Sequence, residues 1–136
     1  MSFEGENDTL EARMRAQWAL VHNDIPVIYD NSPIAPPTSG TWLRFEIHGA
    51  DGNISGIGGS KTQYTTYNFI SIIVYVKKGT GTKTAKGYAD DAAAIFRGWI
   101  TAGYKFRAPW VKDLGEALGW YRVAITIPFT RDEIFS

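Results

Sequence analysis

The strongest pattern in the chain is the apolar run "YNFISIIVYV" at residues 67–76. Ile70, Ile72, Val74 and Val76 occupy every second position, and most of the side chains between them are also apolar. A period of two predicts a β-strand. A strand that is apolar on both faces is either central in a layered sheet or covered by another subunit. This run therefore predicts the central strand of the fold.

Further segments also predict strands. Residues 41–49 and 120–129 alternate between apolar and polar side chains, as half-buried strands do, and Pro128 is predicted to end the second of them. Residues 26–30 predict a short strand. Residues 104–111 contain a proline within an alternating pattern, which predicts an edge strand.

Two segments predict helices. Residues 8–21 open with Asp8 as a cap and Glu11 as its capping-box partner. The apolar stripe of this helix is predicted to contain Leu10, Met14, Trp18 and Val21. The second helix is predicted over residues 84–102, capped by Thr84 and stopped by Gly103. Its apolar stripe is predicted to contain Ala85, Ala89, Ala92, Phe96 and Trp99.

The predicted elements follow in the order α-β-β-β-α-β-β. Because helices and strands do not alternate strictly, this order predicts an α+β fold with a mainly antiparallel mixed sheet flanked by two helices. A length of 136 residues fits one domain over residues 1–136. Residues 50–66 hold four glycines and little apolar surface. They predict a long flexible loop, which is usually functional or mobile in a compact domain.

The segment "KKGTGTKT" at residues 77–84 follows a strand and precedes a helix, as a phosphate-binding loop does. However, Thr82 stands before Lys83 where that motif requires a glycine, and the dinucleotide pattern fails as well. The sequence "GIGGSKT" earlier in the chain fails in the same way. We therefore predict no nucleotide site, and we interpret Gly79 and Gly81 as turn residues that permit a positive φ.

The sequence predicts no catalytic, cofactor or metal site. The chain has no cysteine, and its two histidines, His22 and His48, lack the spacing of helical metal ligands. His48 is expected to be solvated or at an interface. Asp90 and Asp91 are neighbours whose directions differ by about 100° on a helix, so they cannot act as a catalytic pair. We expect both carboxylates to be solvated.

The distribution of charge is uneven although the net charge is zero. A neutral chain is not typical of a protein that binds nucleic acid by neutralising phosphates. Residues 1–30 hold six acids and two bases, whereas residues 77–113 hold eight bases and three acids. Opposite charges could bring copies of the chain together, and chance surface variation is the alternative. No apolar run approaches the roughly 20 residues that span a bilayer, so no membrane contact is expected.

Aromatic side chains are more abundant than one core of this size needs, with 5 Trp, 7 Tyr and 7 Phe. Aromatic residues are enriched at protein interfaces, because their rings can be dry while their polar tips remain wet. The composition therefore favours a protein that assembles.

Several segments resemble the small tail terminator, or tail completion, proteins of long-tailed bacteriophages and prophages. The resemblance is carried by "PVIYDN" at 26–31, "TWLRFEI" at 41–47, "KKGTGTKTAKGYADDAAAIF" at 77–96 and "GWYRVAITIPF" at 119–129. It extends over about residues 10–130. The family often has a proline before the first glycine of the third segment, where this chain has Lys78.

The resemblance implies an α+β subunit of a hexameric ring that caps the finished tail tube, stops its growth and offers a surface for head joining. The implied partners are further copies of the chain, the tail tube protein and a neck protein. Genome DNA would pass through the ring without sequence-specific binding. The implied location is the neck end of the virion tail, after assembly in the host cytoplasm. No enzyme activity or cofactor is implied.

Two alternatives remain open at this point. One is another neck or tube component of the same tail, such as a stopper or tube subunit. The other is a small ligand-binding domain. For the assembly hypothesis, lysines of the 77–84 segment are expected to meet an acidic neighbour. The candidate interface residues are Glu11, Arg44, His48, Lys61, Tyr75, Lys77, Lys78 and Lys83.

Overall fold

The computed structural model describes residues 3–29, 37, 40–58, 61–79, 81–99 and 103–135, with side chains for 9–29, 37, 40–49, 67–79, 81–99 and 103–131. The described helices are α1 (Phe3–Val21) and α2 (Thr82–Phe96). The described strands are β1 (Val27–Tyr29), β2 (Trp42–Gly58), β3 (Lys61–Lys77), β4 (Tyr104–Phe106), β5 (Trp110–Ala117) and β6 (Trp120–Phe135). The predicted α+β class is confirmed, with one strand more than expected.

The additional strand arises because the predicted edge strand over 104–111 is divided. Its first part is β4, and its second part belongs to the longer strand β5. Pro109 lies between them, where the chain leaves the sheet. A proline cannot donate a hydrogen bond to a neighbouring strand, which explains the interruption.

The strands form one mixed sheet in the order β1-β2-β3-β6-β4, and β5 also pairs with β6. β1 is parallel to β2, whereas the other pairings are antiparallel. β3 lies between β2 and β6, so the prediction of a central strand at 67–76 is confirmed. Leu43 pairs with Val74, and Val74 pairs with Val123 on its other side.

One face of the sheet is covered by the two helices and forms the core. Side chains of β2, β3 and β6 that share this face are almost fully buried against apolar residues of α1 and α2. The buried helical residues include Leu10, Met14, Trp18, Ala85, Ala89, Ala92 and Phe96, as predicted. Val21 was predicted to join them but is 60% exposed. It is the last residue of α1, and the chain turns away from the core after it.

The helix starts differ from the predicted ones. α1 begins at Phe3, so Asp8 lies inside the helix and is not its cap. α2 begins at Thr82, and its N-cap is Gly81, which makes no capping hydrogen bond through a side chain. Thr84 is therefore not the cap. Gly81 has a φ of 107°, a conformation that glycine adopts without a Cβ clash, so the prediction of a positive φ there is confirmed.

α2 also ends earlier than predicted, at Phe96 instead of residue 102. Gly98 follows with a φ of 70°, the left-handed conformation that commonly terminates helices. Arg13 of α1 donates two hydrogen bonds, of 3.1 and 2.9 Å, to the carbonyl oxygen of Ile95 in the last turn. This satisfies a carbonyl that has no partner within the helix. Neither α1 nor α2 combines the length and apolarity that a membrane-spanning helix requires.

Residues 50–66 do not form the predicted loop. β2 continues to Gly58, β3 begins at Lys61, and the two strands pair along this length. Register shifts occur between Gly49 and Asp51 and between Ile54 and Gly56. Such bulges break the alternation of side chains, which hides the strand in the sequence. Pairing with β6 on the other side of β3 supports this extension.

β6 likewise continues through Pro128, where the sequence predicted its end. The carbonyl oxygen of Pro128 accepts a hydrogen bond of 2.8 Å from the backbone N–H of Arg107. Because the nitrogen and carbonyl of a strand residue point to the same edge, the proline nitrogen also faces away from β3. It meets the gap between β4 and β5, so no hydrogen bond of the β3–β6 ladder is lost.

Candidate assembly surfaces

The face of the sheet opposite the helices, here called the open face, alternates with the core positions along β2, β3 and β6. Its members are Trp42, Arg44, Glu46, His48, Tyr67, Phe69, Ser71, Ile73, Tyr75, Lys77, Trp120, Arg122, Ala124, Thr126 and Pro128. Most of these side chains are half-buried or exposed. Aromatic and aliphatic groups mixed with arginine are typical of protein interfaces.

One end of the open face is a cluster of aromatic rings. Trp42 and Tyr75 are stacked, with ring centroids 4.0 Å apart and an interplanar angle of 3°. Trp120 meets both of them edge-on, at 6.3 and 6.4 Å. Lys77 places its Nζ atom 5.4 Å from the centroid of the Trp120 ring, within range of a cation–π interaction. The rings cover Trp42 so well that it is 5% exposed.

Polar groups lie beside this cluster. Glu46 accepts a hydrogen bond from Arg44 at 3.4 Å, and its other carboxylate oxygen lies 2.9 Å from Nε2 of His48. The His48 ring is stacked on Phe69, with centroids 4.9 Å apart. His48 is exposed. The open face therefore offers charged hydrogen-bonding groups among apolar ones.

The structure brings together some of the predicted interface residues. Arg44, His48, Tyr75 and Lys77 all belong to the open face, because their positions in β2 and β3 share the same alternation. They come from two separate segments of the sequence, which antiparallel pairing aligns. Whether they contact a partner remains a prediction.

The other predicted residues lie elsewhere. Lys78 follows β3 and forms an ion pair of 3.7 Å with Glu116 of its own chain. Lys83 is exposed in the first turn of α2. Glu11 lies on α1, on the helix side of the sheet, and pairs with Arg15 at 3.4 Å. Lys61 begins β3, and its side chain lies outside the described part of the structure.

The opposite end of the open face contains an apolar groove of about 510 Å³. Tyr67 and Phe69 of β3 line it together with Thr126 and Pro128 of β6, Trp110 of β5 and Arg107. The groove lies where the chain between β4 and β5 leaves the sheet. Trp110 is 55% exposed, which is unusual for so large an apolar side chain. We call this concavity the groove.

Leu118 is the most exposed large apolar residue described, at 99%. It forms the two-residue turn of the β5–β6 hairpin with Gly119, and their φ values are 54° and 84°. Turns with two positive φ values favour Asn-Gly or Asp-Gly, because a Cβ beyond glycine strains this conformation. A leucine here costs about 1–2 kcal/mol of backbone strain and leaves an apolar side chain in water. We call residues 116–119 the hairpin tip.

The hairpin below this tip is held by side-chain hydrogen bonds. Asp113 accepts one from the hydroxyl of Tyr121 and one of 2.9 Å from the backbone N–H of Gly115. These bonds, the first above all, hold the pKa of the Asp113 carboxyl below its usual value. The same contact raises the pKa of Tyr121. The backbone N–H of Lys78 also donates to Gly119 at 3.0 Å, which fixes the turn against the end of β3.

The sequence did not reveal a side-chain contact between α2 and the residue that follows α1. His22 Nε2 lies 2.6 Å from Asp91 Oδ2, and the His22 ring also contacts Trp18 and Tyr88. Asp91 is solvated as expected, with 44% of its side chain exposed, and the fold also brings the end of α1 beside it. Among the described residues, no group of three or more His, Cys, Asp or Glu is arranged to hold a metal ion.

The groove and the hairpin tip were not predicted from the sequence either. The groove depends on how β4 and β5 pair with β6, which no local pattern encodes. A signal for the tip does exist in "EALGWY" at 116–121, where Leu-Gly occupies a hairpin turn that usually takes Asn-Gly.

Comparisons with known proteins give one family match. A family model described as phage tail terminator protein matches residues 7–129. None of the curated proteins matches the sequence. Among solved structures, one with 20% sequence identity superimposes with a TM-score of 0.71, covering 96% of each chain. At that identity the likeness concerns the fold alone.

Proposed function

This chain belongs to the phage tail terminator family, a structural family of the phage tail, and we propose that it forms a ring on the end of the tail tube. The ring stops further polymerisation of the tube and provides the surface to which the head is joined. This is a structural role in the virion tail, without an enzymatic step.

The observation that carries this proposal is the open face. Its two ends combine the ring cluster of Trp42, Tyr75 and Trp120 with the groove beside Phe69 and Trp110. Between them, Ile73 and Ala124 are only half-buried in the single chain. When a partner covers such apolar surface, the complex is stabilised by about 25 cal/mol for each Å² that is removed from water.

A ring requires contacts between two different patches on each subunit, so that each copy binds the next and the series closes. We propose six copies, related by such head-to-tail contacts through the open face. The acidic segment 1–30 includes α1 on the helix side of the sheet, so its attraction to the basic segment 77–113 would steer approaching copies without being part of the open-face contact.

The proposed partners outside the ring are the tail tube protein on one side and a head–tail neck protein on the other. Genome DNA passes through the centre of the ring without sequence-specific binding, in agreement with a net charge of zero. Assembly takes place in the host cytoplasm, and the mature ring lies at the neck end of the tail.

The experiment that tests this function is electron microscopy of particles produced after deletion of the gene. We expect overlong tail tubes that are detached from heads, and a return to normal length when the intact gene is supplied in trans. Tubes of normal length that fail to join heads would instead indicate a neck role. Normal infectious particles would contradict a structural role at the end of the tail.

A further inference from the structure

The hairpin tip carries an exposed leucine and the groove is lined by aromatic rings, and the two features lie at different places along β6. Trp120 adjoins the tip and Pro128 lines the groove, and they are eight positions apart on β6. At the rise of a β-strand this corresponds to roughly 27 Å. A tip therefore cannot reach the groove of its own subunit.

The two features are complementary in chemistry. The tip offers Leu118, whose side chain is 99% exposed. The groove offers the rings of Tyr67, Phe69 and Trp110, and its volume of about 510 Å³ accommodates a projecting side chain and its turn. Burial of aliphatic groups against exposed aromatic rings is the usual centre of a protein interface.

The charged side chains beside the tip and beside the groove have opposite signs. Glu116 at the tip has a side chain that is half exposed despite its ion pair with Lys78. Arg107 lines the groove, and Lys105 is exposed on β4 opposite Thr130, another groove residue. A carboxylate beside the inserted leucine would thus meet basic side chains at the groove margin, which favours this pairing over tip with tip.

We propose that the hairpin tip of one copy docks in the groove of the next, with Leu118 as the inserted side chain. This inference rests on the proposed ring and specifies the contact that builds it. Because tip and groove are different patches, the contact is head-to-tail and leaves one free tip and one free groove on any open chain. When the ring closes, the last free tip docks in the last free groove.

The absence of cysteine allows a direct test by cross-linking. The double variant Ala117→Cys with Thr126→Cys carries only these two thiols, one beside Leu118 at the tip and one lining the groove, and it keeps Leu118 and the aromatic rings of the groove. Under mild oxidation we expect a ladder of disulfide-linked oligomers that ends at the size of the closed ring. The control combines Thr126→Cys with Leu20→Cys, since Leu20 is highly exposed but lies on α1. This control should give no ladder.

A second variant separates docking from folding. Leu118→Asn suits a left-handed turn better than leucine does, so the variant should fold at least as well as the natural chain. We expect its self-association to be at least about tenfold weaker, as for loss of a buried interface anchor. Trp110→Ser should weaken association similarly, whereas Val111→Ser, at the next position on the other face of β5, should not.

A mixture of Leu118→Asn and Trp110→Ser copies adds a signature of head-to-tail contact. The groove of the first variant and the tip of the second are intact, so native mass spectrometry should detect 1:1 pairs that do not grow into rings. An interface made of identical patches would give no such pairing.

The outcomes distinguish this inference from the proposed function. A ladder together with weakened association of Leu118→Asn supports the docking contact. Closed rings of the natural chain without a ladder, or unchanged rings of Leu118→Asn, overturn the contact and leave the ring intact. A natural chain that remains monomeric at every concentration and on tail tubes contradicts both. A small molecule retained in the groove of purified protein would also overturn the docking contact.

Discussion

Both faces of the sheet carry apolar side chains, but those on the helix side are buried and those on the open face are mostly accessible. On the helix side, Ile72 lies opposite Phe45 and Ile125 and is fully buried. On the open face its neighbour Ile73 lies opposite Arg44 and Ala124 and is only half-buried. The same side chain at adjacent positions thus stabilises the subunit at one and is available to a partner at the other.

The two faces explain why the sequence of β3 has apolar side chains on both sides of the strand. A strand of this pattern is either covered by two layers of its own chain or by one layer and another molecule. Here helices supply the first layer, and the described part of the chain supplies no second one. We therefore propose the open face as the part of the molecule through which copies assemble.

The largest expected effect on stability comes from truncating a side chain on the helix side of the sheet. Ile72→Ala should lower the free energy of unfolding of the isolated subunit by about 2–5 kcal/mol, because it leaves a cavity in a packed core. Ile73→Ala should lower it by no more than about 1 kcal/mol, since solvent already reaches this side chain. Urea denaturation followed by tryptophan fluorescence measures both. Equal losses would contradict the contrast between the faces.

The next effect concerns assembly. Ile73→Lys should weaken self-association by about ten- to a hundredfold, because it places a charge in a surface that docking must dehydrate. The free subunit should keep its stability to within about 1 kcal/mol. The matched control is Leu20→Lys on the exposed side of α1. Sedimentation velocity over a concentration series compares the two, and an equal effect of both variants would argue against the open face.

A smaller effect is expected from the stacked rings of Trp42 and Tyr75. Tyr75→Leu keeps most of the apolar area but removes the stack, and should destabilise the subunit by about 0.5–1.5 kcal/mol. Tyr75→Phe keeps the ring and should be nearly neutral. If both substitutions cost the same in thermal or chemical denaturation, the tyrosine hydroxyl would be the important group instead of the ring.

The smallest effect is a pH dependence on the helix side, at Tyr29. Burial raises the pKa of this hydroxyl from 10.0 to about 12, although the Arg15 guanidinium acts in the opposite direction. A raised pKa means that the neutral form is favoured in the folded state. The associated stability is complete below pH 10, the unfolded value, and is lost as pH rises towards 12.

Tyr29→Phe should therefore flatten the loss of stability in this alkaline interval. The hydroxyl has no hydrogen-bond partner among the described residues, so its removal should be close to neutral at lower pH. Denaturation of both proteins across the interval measures the difference. If the stability of the two proteins fell in parallel with pH, burial of the Tyr29 hydroxyl would not contribute to the alkaline loss of stability.

The sequence predicted those parts of the fold that obey a regular period. Leu10, Met14 and Trp18 repeat at helical spacing and are buried. Ile70, Ile72, Val74 and Val76 repeat at strand spacing and are buried as well. Segments in which another constraint overrides the period were predicted wrongly. Bulges between Gly49 and Asp51 and between Ile54 and Gly56 hid the long end of β2, and Gly98 ended α2 although its apolar stripe continues to Trp99.

The candidate assembly surfaces were less accessible to prediction. Alternation placed Arg44 with His48 on one side of its strand and Tyr75 on one side of another, because it determines the direction of side chains within each strand. The pairing register brings these sides together and adds Lys77. The partner of Lys78 and the contact of His22 with Asp91 depend on tertiary packing between distant segments. The groove arises from a gap between two strands, and only the pairing register reveals it.

Cryo-electron microscopy of the head-proximal end of purified tails would show which face of the subunit is used in the virion. We expect a single closed ring at the end of the tube, with Ile73 and Phe69 covered by a neighbouring subunit and each Leu118 in the adjacent groove. A ring built through α1 and α2, with the open face towards solvent, would contradict this view of the molecule.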